Sequence, residues 1–270
     1  MLKLISCELA KLKRKRFIPF VILSAFMFPP PVALMMLTPR MMERYDTKAE
    51  LFDDFYQFVL GYGVELLLPC VIGVIAAMLF FMERDNDTFK NLRTIPVTST
   101  QMIFAKIIVL FLFGLIYCLS TAAVAIVCGS LIAEVGGLGY KLWMAVEMGI
   151  FVTAGTLPLV VLVVFFSKTY IFSVLLCIFY SVLSLTAESS FSDLPKLLCW
   201  LMPIPLTTLW CAGDLARHGV KGGLGELGYL VPSTTQTVLI LGAMTVLSIL
   251  LIDYLYKRRG GDRDAGTAKN

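Results

Sequence analysis

The sequence predicts an all-α integral membrane protein with six transmembrane helices, led in by an amphipathic helix at its N-terminus. Three observations carry this expectation. Hydrophobic residues make up 58% of the 270 residues and the mean hydropathy is +0.84, whereas soluble domains hold about 45–50% apolar residues. Six apolar runs reach the roughly 20 residues that a helix rising about 1.5 Å per residue needs to cross a hydrocarbon core about 30 Å thick. Of the 23 Lys and Arg residues, 16 collect on one side of those runs, as in cytoplasmic segments.

In residues 1–16, Leu2, Ile5, Leu9 and Leu12 share one helical stripe with Lys3, Lys11 and Lys13 off it. This pattern predicts an amphipathic helix lying in the inner interface and leading into the first span. Residues 17–256 hold the six spans, at 17–39, 59–82, 107–133, 142–166, 169–187 and 229–252. The first is too long for a cleavable signal peptide and no small-residue cleavage pattern follows it. It contains Pro19 and the triplet Pro29, Pro30 and Pro31, which removes backbone donors and bends or interrupts the helix near mid-membrane. Lipid cannot satisfy the freed carbonyls, so that backbone needs protein or water around it.

Between the first two spans, residues 40–58 mix charges with Leu51, Phe52, Phe55, Tyr56 and Phe58, which predicts a short interfacial helix. Residues 134–141 form a Gly-rich turn and Ser167-Lys168 a shorter one, so spans three to five make a compact hairpin series. Residues 188–228 are apolar enough for membrane but broken by Pro195, Pro203 and Pro205. Short helices that dip into the outer leaflet and return preserve the even span count. Residues 257–270 are a basic tail.

With the N-terminus inside, only Arg40, Arg44, Lys48, Lys141, Lys196, Arg217 and Lys221 fall on the outer side. Both termini are therefore expected in the cytoplasm. The formal net charge of +4 reads as topology and contact with lipid surfaces, with no call for nucleic acid.

Familiar enzyme chemistry finds little support. The seven cysteines have no metal spacing; Cys199 and Cys211 share the last external segment, where a pair and two free thiols are both open. Gly223 to Gly228 spells G-x-G-x-x-G, but no strand precedes it. No phosphate loop occurs, so ATP is not bound here in the usual way. His218 is the one histidine, which removes most metal and Ser-His schemes. Glu65 and Glu147 are the acids within spans, and both readings stand for them: side chains reaching outer headgroups or a water-filled vestibule, or groups on a transport path. Lys106, Lys168 and Asp253 sit at inner boundaries, where solvation is easy.

The charge-rich stretch between spans two and three is the most informative. Asp85, Asn86 and Asp87 are good N-caps, Phe89 and Leu92 lie on one face, and Pro96 stops the turn. Thr98 and Gln101 have capping-box spacing, which restarts a helix into span three. A short amphipathic helix held by two long spans suits docking into a partner's groove; a solvated loop whose charges serve topology is the other reading.

Here the sequence resembles ABC-2 type permeases. Glu83, then Thr88-Phe89-Lys90-Asn91-Leu92, then Ile95-Pro96-Val97-Thr98, then Lys106 is similar to the block between their second and third spans, nearest to that of bacitracin-resistance and lantibiotic-immunity permeases. Asp87 stands where the family usually has Gly. The N-terminal helix resembles the family's elbow helix, and the late broken external segment matches its plan.

The resemblance implies that residues 83–101 are a coupling segment contacting a separate ABC ATPase subunit through Glu83, Thr88, Phe89, Leu92, Arg93 and Pro96. It implies no cofactor in this chain, ATP and Mg being held by the partner, and a second permease copy or paralogue. The chain would then be a multi-pass protein of the bacterial cell membrane that removes a peptide antibiotic such as bacitracin or a lantibiotic. Pro29, Pro30, Pro31, Glu65 and Glu147 are the candidates for the transport path. An ABC-2 exporter of another cargo, or a non-transporting membrane sensor or assembly subunit, fits the same plan.

Overall fold

A computed structural model describes residues 1–13, 18–85, 98–166, 170–220 and 225–267. The described residues form an all-helical bundle in which five helices are long and apolar enough to cross a membrane. The first expected span is different. It is a broken pair, α2 (Ile18–Met27) and α3 (Pro29–Met36), and neither piece reaches spanning length alone. The break falls at Phe28, just before the proline triplet. Pro29 begins α3, where a helix has no intrahelical use for the missing N–H.

The second span is longer than the apolar run suggests. After the short helix α4 (Pro39–Met42), Thr47 caps α5 (Lys48–Phe58) by accepting from the Glu50 N–H at 3.2 Å. A π-helical turn at Val59–Val64 then joins α5 to α6 (Glu65–Asp85). The expected interfacial helix is thus continuous with the span, over Lys48–Phe81, and it is not peripheral, because Leu51, Phe52, Phe55 and Tyr56 are all buried. The two irregular segments meet. A Cβ on Gly63 in the π turn would lie 2.3 Å from the Phe28 ring, and Phe28 stacks on Phe58 at 6.2 Å. Protein therefore packs against one side of the broken backbone, while Pro30 and Pro31 face outward.

α7 (Ser99–Ile132) and α8 (Leu138–Phe165) form an antiparallel hairpin. Gly137, at φ +64°, makes the left-handed turn into α8. The two helices approach closely where Gly114 faces Gly149. A Cβ on Gly149 would stand 3.2 Å from the Leu115 Cα, and one on Gly114 1.9 Å from the Thr153 hydroxyl. Small residues allow this backbone approach, which increases dispersion contacts where lipid offers no hydrophobic drive. α8 is the central helix, packed against α6, α7, α11 (Pro203–Arg217) and α12 (Thr234–Thr267). Its run from Phe151 to Leu157 is buried throughout.

α9 (Tyr170–Ser189) packs along α6, where Cys177 sits against Gly73. α12 lies at the edge, exposing Leu239, Val246, Leu247, Leu250 and Leu251. The segment after α9 is broken as expected into α10 (Lys196–Leu201) and α11, of 6 and 15 residues.

Candidate functional site

Three places gather the residues that the sequence marks. At one end, α6 runs through Glu83 to Asp85, while the Glu83 side chain and Thr88, Phe89, Leu92, Arg93 and Pro96 lie outside the described residues. What holds the flanks is visible. The Thr98 hydroxyl accepts from the Gln101 N–H at 3.3 Å and the Gln101 side chain accepts from the Thr98 N–H at 3.2 Å. This capping box starts α7 where the spacing expects it.

Lys106 overturns an expectation. It is not solvated at a boundary but fully buried. Its ammonium donates to Glu8 at 3.0 Å and to the Leu79 carbonyl at 2.9 Å, and lies 5.6 Å from the centre of the Phe80 ring. Glu8 also receives Lys11 at 2.5 Å. α1 (Leu2–Lys13) therefore docks through Glu8 and Leu12, both buried, while Leu2 and Leu9 of the expected apolar stripe stay exposed. A buried cation needs a paired acid, and that requirement selects the docking face. Nearby, Asp253 of α12 accepts from Thr100 at 2.9 Å and from Lys257 at 2.6 Å. One end of the bundle thus ties α1, α6, α7 and α12 around the base of the 83–101 segment.

At the opposite end, Lys141 is likewise buried rather than a free loop cation. It donates to Asp53 at 2.5 Å and to the Gly136 carbonyl at 2.8 Å, and lies 4.6 Å from the centre of the Phe52 ring. The Tyr56 hydroxyl donates to the Lys141 carbonyl at 2.6 Å. Before α5, Tyr45 donates to Asp54. Burial, then that hydrogen bond, pushes the Tyr45 hydroxyl up to about 12, so it remains a donor at physiological pH. Tyr140 donates to Asp214 at 2.7 Å and stacks on His218 at 4.0 Å. Glu147, half-buried, sits near Asp214 and His218.

The third place lies inside the bundle. Glu65 reaches neither headgroups nor a vestibule, being 1% exposed. Thr207 and Thr208 of α11 both donate to it, the Thr207 hydroxyl at 3.3 Å. Thr208 also lies 3.0 Å from Glu188 at the end of α9. Sequence reasoning placed Glu188 in an external segment and overlooked it; its position directly after an apolar run was the available signal. The structure does not bring the other path candidates to this point. Pro29 is buried, while Pro30 and Pro31 face outward. Cys199 and Cys211 are free thiols on different helices.

Residues 4–184 match the family described as ABC-2 family transporter protein. The match runs from the N-terminal helix into α9 and stops short of α10 and α11. No curated protein matches this chain. A match over more than half of the chain, on a helical bundle with several membrane-spanning helices, shows that this protein belongs to the ABC-2 transporter family and is a multi-pass membrane protein.

Proposed function

We propose that this chain is the permease subunit of an ATP-driven exporter that removes an amphipathic peptide antibiotic, such as bacitracin or a lantibiotic, from the bacterial cell membrane. ATP hydrolysis belongs to separate ABC ATPase subunits, and a second permease copy or paralogue completes the pathway. The observation that carries the reading is the family match over residues 4–184. The 83–101 segment, held between two long helices that α1 and α12 brace, supports the placement of the ATPase contact there. The resemblance of the 83–106 block to bacitracin and lantibiotic permeases supports the cargo. Both termini and this segment face the cytoplasm, and α10 with α11 forms the re-entrant outer segment.

Phe89 and Leu92, with Glu83 and Arg93 beside them, dock into the ATPase. Burying two apolar side chains contributes about 1.5–3 kcal/mol each, and the charges set register more than affinity. The double change Phe89→Asp with Leu92→Asp is expected to leave the permease inserted and folded while abolishing ATPase co-purification and antibiotic protection. A pull-down from detergent that recovers the complex unaltered, at normal expression, refutes the docking assignment.

A further inference from the structure

The contacts around Thr208 do not balance if both acids are charged. Thr207 Oγ1 lies 2.7 Å from the Ile204 carbonyl and 3.3 Å from Glu65 Oε1. Thr208 Oγ1 contacts Glu65 Oε2, Glu188 Oε1 at 3.0 Å and the Ile204 carbonyl at 3.2 Å. Every one of these partner oxygens is an acceptor, and each hydroxyl has one proton to donate. With both carboxylates ionised, Thr208 would turn lone pairs toward a negative oxygen inside the protein.

The burial makes that arrangement costly. Glu65 is 1% and Glu188 9% exposed, and Glu188 Oε2 is buried with no hydrogen-bond partner. No cation compensates them, since among the described residues no Lys, Arg or His pairs with either. The titratable groups facing the pair are Tyr62 on the π turn, Cys118 on α7 and Cys211 on α11, with Asp214 beyond Cys211. None of these is a cation. Two uncompensated charges in such a site lose their hydration with nothing to repay it.

One added proton removes the conflict between the two acids at Thr208. A carboxyl O–H on one acid donates to Thr208 Oγ1, whose own proton goes to the other acid, so both acid contacts of Thr208 have a donor. The one Thr207 proton is shared between the Ile204 carbonyl at 2.7 Å and Glu65 Oε1 at 3.3 Å. The lone oxygen, Glu188 Oε2, is tolerable on a neutral acid.

We propose that Glu65, Thr208 and Glu188 form a proton-binding site that holds one proton shared by the two carboxyls. The proton comes from water at the nearer face and belongs to the pair rather than to either residue. Because Glu65 opens α6, Glu188 closes α9 and Thr208 lies on α11, the site fastens the broken segment after α9 to the second span. Loss of the proton would load like charges at this joint and favour its opening. The inference stands apart from the proposed cargo and from the ATPase contact.

The test is infrared spectroscopy of the full chain in lipid nanodiscs at pH 7. The wild-type spectrum minus that of the double variant E65Q/E188Q is expected to contain a protonated-carboxyl band that shifts in D2O, with the intensity of one acid group. Glu147→Gln should leave that band in place. Zero intensity, meaning both acids ionised, or an intensity of two, meaning both neutral, overturns the shared proton. The band should be the same in sodium and in choline buffer, and its suppression by sodium would overturn the assignment in favour of a metal cation. Glutamine matches the neutral acid in shape, so the fold should survive. If the double variant fails to fold, Thr208→Val, which leaves both carboxyls in the chain and removes only the bridging hydroxyl, must shift the same band's frequency; an unmoved band overturns the bridge.

Discussion

Residues that look like ordinary boundary charges turn out to organise the bundle. Lys106 is fully buried on Glu8 and the Leu79 carbonyl, and Lys141 on Asp53 and the Gly136 carbonyl. Removing one partner of a buried pair leaves an uncompensated charge, a loss of about 3–5 kcal/mol. Lys106→Met should fall at the lower end of that range, because Lys11 still reaches Glu8. A lower melting temperature in detergent is the expected readout. The double variant Glu8→Gln with Lys106→Met should regain most of the loss, and additive effects of the two changes would refute the coupling. The charges themselves were legible in the sequence, but their partners were not: Glu8 and Lys106 are 98 positions apart, and periodicity speaks only of neighbours on one helix.

Elements were the most legible level. The spans at α7, α8 and α9 begin and end near the positions that apolar runs and turn residues mark, and the Thr98–Gln101 capping box forms as the spacing requires. Two elements differ for identifiable reasons. The π turn that continues α5 into α6 carries Gly63, which admits the Phe28 ring, a fit between residues far apart in the chain. The proline triplet splits the first apolar run at Phe28, as proline chemistry expects, and leaves pieces of 10 and 8 residues. Replacing Pro29, Pro30 and Pro31 with Leu should merge α2 and α3 into one helix of spanning length. Antibiotic protection should be lost, with expression and ATPase co-purification retained. Transport that survives the triple change would make the break incidental.

For the whole molecule, the proposed topology has a native reporter. Cys7 is exposed on α1, Cys70 and Cys128 are half-buried within the apolar helices α6 and α7, and Cys118, Cys177, Cys199 and Cys211 are buried. In intact cells an impermeant thiol reagent should leave wild-type protein unmodified, label Lys48→Cys, and leave Lys90→Cys unlabelled. Permeabilised cells should label Cys7. Reaction at position 90 from outside would refute the arrangement, because it would put the 83–101 segment and α1 on the wrong side of the membrane.

Composition and apolar run length by themselves determined that this is a helical membrane protein, because the bilayer demands about 20 apolar residues with internally satisfied backbone per crossing. The turns and the capping box are local and were equally readable. Tertiary structure alone decided which charges are buried and what they meet. Glu65 reads as a candidate within a span, but Glu188 and Thr208 come to it from α9 and α11, 123 and 143 positions later. A hydrogen-bond network between helices depends on their rotation and packing, which no single stretch of sequence encodes.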